Sequence, residues 1–305
     1  YNYSGALATG ALAAGGTLGI LIPPSIVLII YAIMVEASVV QLFQAALIPG
    51  LLAALGYILT VAVVVRFVPD AGPAGPRASR HERIRTLVEI WPVMIIFVLV
   101  MGGIYVGFFT PTEGAGIGAV GTFLVAVTHG GMRWKGFVDA LLGTAQTSGF
   151  IFLILLGAAI FNAFLGFSQL PLRASQMFQE SGLPPMVVLL IMIALYVVLG
   201  CIMDSLSMIL LTVPIFWPII AGLDFGLQGE DLKLWFGIIS LIVVEVGLIT
   251  PPVGLNVFVI HSLAKDVPLI ETFKGVLPFL ASDAIRVVLI ILFPVITLTL
   301  PKLLD

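Results

Sequence analysis

The sequence Gly247-Leu248-Ile249-Thr250-Pro251-Pro252 interrupts an apolar segment, residues 234–264, that is long enough to cross a membrane. A second proline pair interrupts residues 5–35, within Gly19-Ile20-Leu21-Ile22-Pro23-Pro24. Both stretches share the pattern G-x-x-x-P-P, at an offset of 228 residues. Because proline lacks a backbone N–H and clashes with the preceding helical turn, each pair predicts a broken helix. The match predicts two copies of one discontinuous element.

The composition around these breaks excludes a soluble enzyme. The chain of 305 residues is 60% hydrophobic and 10% charged, with a mean hydropathy of +1.22, whereas soluble domains are roughly 45 to 50% apolar and about 25% charged. The net charge of -3 is too small to indicate nucleic acid as a partner. Cys201, the single cysteine, allows no internal disulfide. We therefore predict an all-α integral membrane protein whose solvent is the lipid bilayer.

Spanning helices need about 20 mostly apolar residues. Residues 185–222 instead form two short apolar arms around the polar tip Met203-Asp204-Ser205, which favours a re-entrant hairpin over two separate crossings. The predicted segments are the end of a first repeat (1–35), a spanning helix (36–68), a basic linker (69–90), spanning helices and an interfacial segment of a second repeat (91–143), a spanning helix with an outer loop (144–184), the hairpin (185–222), the second broken helix (234–264) and a last spanning helix (275–300).

Basic residues orient this arrangement, because short cytoplasmic loops collect Lys and Arg. Four arginines lie in the linker 69–90, which is therefore predicted to be cytoplasmic: Arg77, Arg80, Arg83 and Arg85. The parity of the crossings then places three basic residues on the outer side: Arg173, Lys233 and Lys302.

This orientation makes the two broken helices antiparallel. Inverted repeats with discontinuous helices, meeting near the bilayer midplane, are typical of secondary transporters. By the same repeat, a partner for the 185–222 hairpin would precede Tyr1, so we expect that hairpin in the native protein ahead of this chain.

Asp204 is the sharpest candidate functional residue. An ionisable side chain at membrane depth costs at least about 2.5 to 3.5 kcal/mol on insertion scales and usually faces a partner or a pathway. The alternative is a helix cap, with the carboxylate accepting N–H groups of the arm that starts near Leu206. The functional role and the capping role are compatible if this helix N-terminus also binds an anionic substrate.

The breaks themselves suggest a cation site. Proline pairs free the preceding carbonyls, and Thr250, Asn256 and the carbonyls near Gly247 would together offer hard oxygen ligands. Gly16, Thr17 and Ser25 hold the related positions in the first copy. The alternative at both places is a kinked helix whose freed groups are satisfied by its neighbours.

Other polar residues have structural interpretations. Thr110 and Glu113 match a helix cap with its capping box, and Asp283 and Arg286 are spaced to pair on one helix face. Glu245 is a buried polar residue with no assigned role.

Four motifs, in this order, resemble the large membrane subunit of tripartite ATP-independent periplasmic (TRAP) transporters. They are Gly15-Gly16-Thr17-Leu18-Gly19-Ile20-Leu21-Ile22-Pro23-Pro24-Ser25, Phe109-Thr110-Pro111-Thr112-Glu113, Met203-Asp204-Ser205 and Gly247-Leu248-Ile249-Thr250-Pro251-Pro252-Val253-Gly254-Leu255-Asn256. The family's Ser/Gly-rich first hairpin tip has no counterpart in this chain.

The resemblance implies an elevator-type importer in the bacterial inner membrane, driven by sodium and carrying an organic acid such as a C4-dicarboxylate or sialic acid. It implies two partners, a small four-helix membrane subunit and a periplasmic substrate-binding protein, and no organic cofactor. The sodium-binding residues it implies are Gly16, Thr17, Gly19, Ser25, Asp204, Ser205, Gly247, Thr250, Pro251 and Asn256. The substrate-binding residues it implies are Asp204, Ser205, Pro24 and Pro252.

Three other functions compete with this one. An ion-coupled anion symporter of inverted-repeat type, working without a binding protein, would show the same breaks. An intramembrane enzyme is disfavoured, because the three histidines lie in loops or near span ends and no nucleophile or metal-ligand motif occurs. A channel would need a ring of like charges or a repeated carbonyl filter. The sequence shows neither, which favours alternating access.

Overall fold

The computed structural model describes residues 3–73, 75 and 79–304, and these residues form fourteen α-helices and no strand. The helices are α1 (Gly5–Leu21), α2 (Ile26–Val35), α3 (Val39–Phe67), α4 (Arg80–Glu89), α5 (Trp91–Tyr105), α6 (Pro111–Thr128), α7 (Trp134–Ser168), α8 (Leu170–Glu180), α9 (Pro185–Gly200), α10 (Ser205–Ala221), α11 (Gly229–Ile249), α12 (Leu255–Leu263), α13 (Leu269–Leu292) and α14 (Val295–Leu304). The predicted all-α class is confirmed.

Four helices are long and apolar enough to cross a membrane alone: α3, α7, α11 and α13. Two bent pairs raise the number to six if each pair is one span: α1 with α2, bent by 45°, and α4 with α5, bent by 48°. These spans agree with an integral membrane protein.

The chain forms two compact units, residues 1–74 with 158–305 and residues 75–157, so that the boundary falls inside α7. The first unit contains both proline-pair segments and the hairpin. In the second, α5 packs against α6, and Thr110 caps α6 through the predicted capping box. Ser79 caps α4 in the same way, and its backbone hydrogen bond lowers the pKa of the Glu82 carboxyl.

Both proline pairs break their helices where the sequence predicts. α1 ends at Leu21 and α2 begins at Ile26, with the hydroxyl of Ser25 accepting from the Leu28 N–H at 3.4 Å. α11 ends at Ile249 and α12 begins at Leu255. In each pair the bond between the two prolines is cis.

α9 and α10 are two adjacent helices within the segment 185–222, whose re-entrant course through the membrane stays a prediction. They contain 16 and 17 residues, fewer than the roughly 20 that a crossing needs. Tyr196 of α9 joins the arms, because its hydroxyl accepts from the Thr212 hydroxyl at 3.1 Å and its ring packs edge-on against Phe216.

α11 is the core of the first unit. It is hydrophobic on all sides and almost wholly buried, as expected of a central helix. It contacts α1, α3, α9 and α13, among others, and the Trp235 indole N–H donates to the Ile290 carbonyl at 3.0 Å.

Two polar contacts of this unit join residues that the sequence predicts on the outer side of the membrane. Lys302 pairs with Asp231 at 2.6 Å, and Lys233 donates to the Glu36 carbonyl at 2.6 Å. At another place the Ser4 N–H donates to the Ala71 carbonyl at 2.9 Å, joining two stretches predicted to be cytoplasmic. Which side of the membrane each group faces stays a prediction, and Arg77 lies outside the described residues.

Three boundaries differ from the sequence prediction. Residues 134–143, predicted to be interfacial, are continuous with α7, since no proline interrupts them. The predicted outer loop contains α8, whose Ser175 hydroxyl donates to the Pro218 carbonyl at 2.9 Å. The predicted last span, 275–300, is broken between Leu292 and Val295, where Pro294 cannot donate to the preceding turn.

A glycine contact between α1 and α13 predicts a strong steric effect. A Cβ built on Gly275 would overlap the Ala6 carbonyl, and one built on Gly10 would overlap the Gly275 backbone. Since backbone atoms cannot move aside as a flexible side chain can, we expect Gly275→Ala to destabilise the protein by about 1 to 3 kcal/mol. Thermal unfolding in detergent would measure this loss. Gly157→Ala is the matched control, because no neighbouring atom of the described residues lies within 4 Å of its built Cβ. An equal response of both variants would contradict the prediction.

Candidate ion and substrate site at the helix breaks

The tip of the hairpin packs directly against the second helix break. The Gly254 N–H donates to the Cys201 carbonyl at 3.2 Å, and the Cys201 thiol donates to the Pro251 carbonyl at 3.6 Å. One turn earlier, a Cβ built on Gly247 would lie 2.6 Å from the Gly200 Cα. Because both positions are glycine, the two backbones approach closely enough for the tip and the break to form one local structure.

Asp204 caps α10. Its Oδ2 accepts from the Ser207 N–H at 3.1 Å, which is the structural role that the sequence allowed. The side chain is exposed, whereas Ser205 beside it is buried. The cap occupies one carboxylate oxygen, and the free N–H groups of the first turn of α10 lie at the same tip. The tip therefore combines an anionic side chain with a helix end that favours anions.

The second break contains oxygen atoms that keep free lone pairs. The Thr250 N–H donates to the Gly247 carbonyl at 3.0 Å, so that carbonyl already has one partner. The Thr250 hydroxyl donates to the Val246 carbonyl at 2.6 Å, which leaves the lone pairs of its oxygen to accept or coordinate. Pro251 and Pro252 are exposed.

The first break is split between an open and a buried face. Gly16, Gly19 and Pro24 are exposed, whereas Ser25 is buried as the cap of α2. Thr17 is also buried: its hydroxyl donates to the Ala14 carbonyl at 2.7 Å and lies 3.2 Å from the Tyr57 hydroxyl. The structure therefore directs Thr17 toward α3, away from the exposed glycines, because consecutive helical residues point about 100° apart.

Asn256 brings the two breaks together. A Cβ built on Gly16 would lie 3.9 Å from its Nδ2 atom, and α12, which carries Asn256, packs against α1. The structure thus unites Gly16 with Asn256, and the hairpin tip with Pro251 and Gly254. Thr17 stands apart from both groups.

These donors suit a small hard cation in their chemistry. Thr250 offers a hydroxyl, Asn256 an amide oxygen and Asp204 a carboxylate. All three are hard oxygen ligands, which hard cations bind in preference to sulfur ligands. Thr17 does not fit this set while its hydroxyl is used within α1 and at Tyr57.

Sequence reasoning missed the role of Tyr57. Its hydroxyl donates to Asp283 Oδ2 at 2.9 Å, and Arg286 Nη2 donates to Asp283 Oδ1 at 2.8 Å, which confirms the predicted pairing of Asp283 with Arg286. The spacing of the latter pair on one helix was visible, but Tyr57 is 226 residues away along the chain. The only signal for it was a tyrosine within an apolar span.

Comparison with known proteins gives a consistent family. The sequence model of the family described as "Tripartite ATP-independent periplasmic transporter, DctM component" matches residues 1–296. The chain is 36% identical over 302 residues to the C4-dicarboxylate TRAP transporter large permease protein DctM of Pseudomonas aeruginosa, covering 99% of this chain and 69% of that protein. It is 32% identical over 303 residues to the sialic acid TRAP transporter large permease protein SiaM of Vibrio cholerae, with the same coverage of 99% and 69%.

These relatives are named as permease proteins of transporters, which confirms the prediction of a transport subunit rather than an enzyme. The apolar spans agree with the inner-membrane location of the family. The motifs at both breaks, the helical fold and the match over nearly the whole sequence lead to one assignment: the chain belongs to the DctM component family of TRAP transporters, as an integral inner-membrane large permease protein.

Proposed function

We propose that this protein imports an organic acid across the bacterial inner membrane, using a sodium gradient and an elevator mechanism. A C4-dicarboxylate is the first substrate to test, because the relative from Pseudomonas aeruginosa is named for that substrate class. Sialic acid is the second, from the relative in Vibrio cholerae. The partners are a small four-helix membrane subunit and a periplasmic substrate-binding protein.

The observation that carries this proposal is the junction of the hairpin tip with the second break. The Gly254 N–H donates to the Cys201 carbonyl there, which supports a shared site formed by the break and by the hairpin tip that carries Asp204. An anion approaching the α10 N-terminus is attracted by the helix end but repelled by the Asp204 carboxylate. A sodium ion at this site offsets that repulsion, which gives a physical reason for carboxylate binding to depend on sodium.

The first compact unit is suited to move as one body in an elevator. It contains both breaks and the hairpin, and its central helix α11 contacts most of the surrounding helices. In this scheme the site residues keep their mutual geometry while the unit slides across the membrane. The substrate contacts are Asp204, Ser205, Pro24 and Pro252, of which all but Ser205 are exposed.

Uptake by the full-length protein with its two partners, reconstituted in proteoliposomes, tests this proposal. We expect labelled C4-dicarboxylate to accumulate at least about tenfold faster with an inward sodium gradient than with potassium, since tenfold corresponds to only about 1.4 kcal/mol of coupling. Uptake driven equally well by a proton gradient alone would overturn sodium coupling. Uptake that needs no binding protein would instead support the alternative of an anion symporter working by itself.

A further inference from the structure

A buried polar layer lies between the two broken helices of the first compact unit. From α1 the contacts run through Thr17, then Tyr57 of α3, then Asp283 and Arg286 of α13, in steps of 3.2, 2.9 and 2.8 Å. Each of these side chains is less than a tenth exposed. The layer thus joins the helix that carries the first break to two helices outside it.

Glu245 brings α11, the helix of the second break, to the same layer. It is 2% exposed, and neither carboxylate oxygen has a hydrogen-bond partner among the described residues. The charged groups that act on it are Arg286 and Asp283. Two nitrogens of Arg286, Nε and Nη1, also lack a partner in the described part of the chain. Arg286 thus has donors to spare in the surroundings of Glu245.

The residues that connect the two broken helices to this layer occupy equivalent positions in the two copies of the motif. At the 228-residue offset that superimposes the two G-x-x-x-P-P motifs, Thr17 corresponds to Glu245. Both side chains are two residues before the motif glycine, Gly19 or Gly247. Thr17 contacts Tyr57, the partner of Asp283, and the helix of Glu245 packs against α13, which carries Asp283 and Arg286. Equivalent positions on the two broken helices therefore face one shared polar layer.

We propose that Tyr57, Asp283 and Arg286 are positioning residues that link the two helix breaks, so that ion binding at one break affects ion binding at the other. This rests on the proposed function, in which the breaks bind sodium. None of the three touches the exposed face of Gly16 and Gly19. They act by fixing α1 and α11 against α13, because buried polar groups lose their partners if either helix shifts.

A double-mutant cycle on the reconstituted full transporter tests this link. The variants are Tyr57→Phe, Glu245→Gln and their combination, and the readout is the sodium concentration for half-maximal uptake. We expect each single change to raise that concentration about threefold or more, and the combination to raise it no further than the larger single change, because linked residues behave non-additively. The Hill coefficient for sodium should fall toward 1.

Thr60→Val combined with Glu245→Gln is the matched control, since Thr60 is also on α3 but its hydroxyl donates to the Gly56 carbonyl at 2.8 Å, outside the layer. Effects of Tyr57→Phe and Glu245→Gln that multiply, as the control pair should, would overturn the link alone. Sodium-independent uptake by the unmodified protein would overturn the proposed function and the link together. If Tyr57→Phe does not assemble by size-exclusion chromatography, Thr17→Val replaces it and removes only the α1 end of the layer.

Discussion

Replacing Asp204 by asparagine is expected to lower sodium-driven uptake by about 10- to 100-fold without unfolding the hairpin. Asparagine caps helices about as well as aspartate, so the contact with the Ser207 N–H survives. The negative charge is lost, and with it the attraction to the sodium ion, which for opposite charges about 4 Å apart is on the order of 1 to 4 kcal/mol near a wet surface. About 1.4 kcal/mol equals a factor of ten. Initial uptake rates and the half-saturating sodium concentration in proteoliposomes measure the effect.

Asp204→Ala separates the two roles of this side chain. It removes the charge and the cap together, so it should reduce uptake like Asp204→Asn and also lower thermal stability by about 1 kcal/mol. Asp224→Asn is the control, because Asp224 is an exposed loop residue that accepts from the Gly226 N–H at 2.9 Å. If Asp204→Asn transports at the wild-type rate, Asp204 is a helix cap and no more.

The sequence predicted best the features that depend on a few consecutive residues. The breaks at Pro23-Pro24 and Pro251-Pro252 follow from the missing proline N–H, which acts locally whatever surrounds it. The caps at Thr110 and Asp204 likewise require only the next three residues. These features needed no knowledge of the rest of the chain.

Features set by distant contacts could not be predicted. Gly16 and Thr17 are adjacent in the same motif, yet the packing of α1 exposes one and turns the other toward Tyr57. The close approach of Gly200 to Gly247 depends on α9 and α11, which are separated along the chain by the whole of α10. In a membrane, where most faces are apolar, hydrophobic periodicity does not reveal which face meets protein and which meets lipid.

The largest stability effect is expected from Arg286→Met. Arg286 pairs with Asp283 at 2.8 Å, and the two side chains are only 7% and 2% exposed. Removing one partner of a buried ion pair costs about 3 to 5 kcal/mol, because the remaining charge has lost its compensation. At about 2 to 4 °C per kcal/mol this corresponds to a melting temperature lower by roughly 6 to 20 °C. Thermal unfolding of the purified complex in detergent measures it.

Lys274→Met supplies the comparison on the same helix. Lys274 pairs with Glu271 at 2.8 Å, the same distance, but its side chain is 61% exposed, and exposed pairs contribute about 0 to 1 kcal/mol. The double variant Asp283→Asn with Arg286→Met should recover part of the lost stability, because the neutral amide at position 283 no longer places an unpaired carboxylate in the core. A remaining deficit would then combine the lost packing of the Arg286 side chain with the loss of its positive charge near Glu245, the second buried acid of the layer. If Arg286→Met is instead as stable as Lys274→Met, the buried layer holds no uncompensated charge, and Asp283 and Glu245 do not depend on the guanidinium.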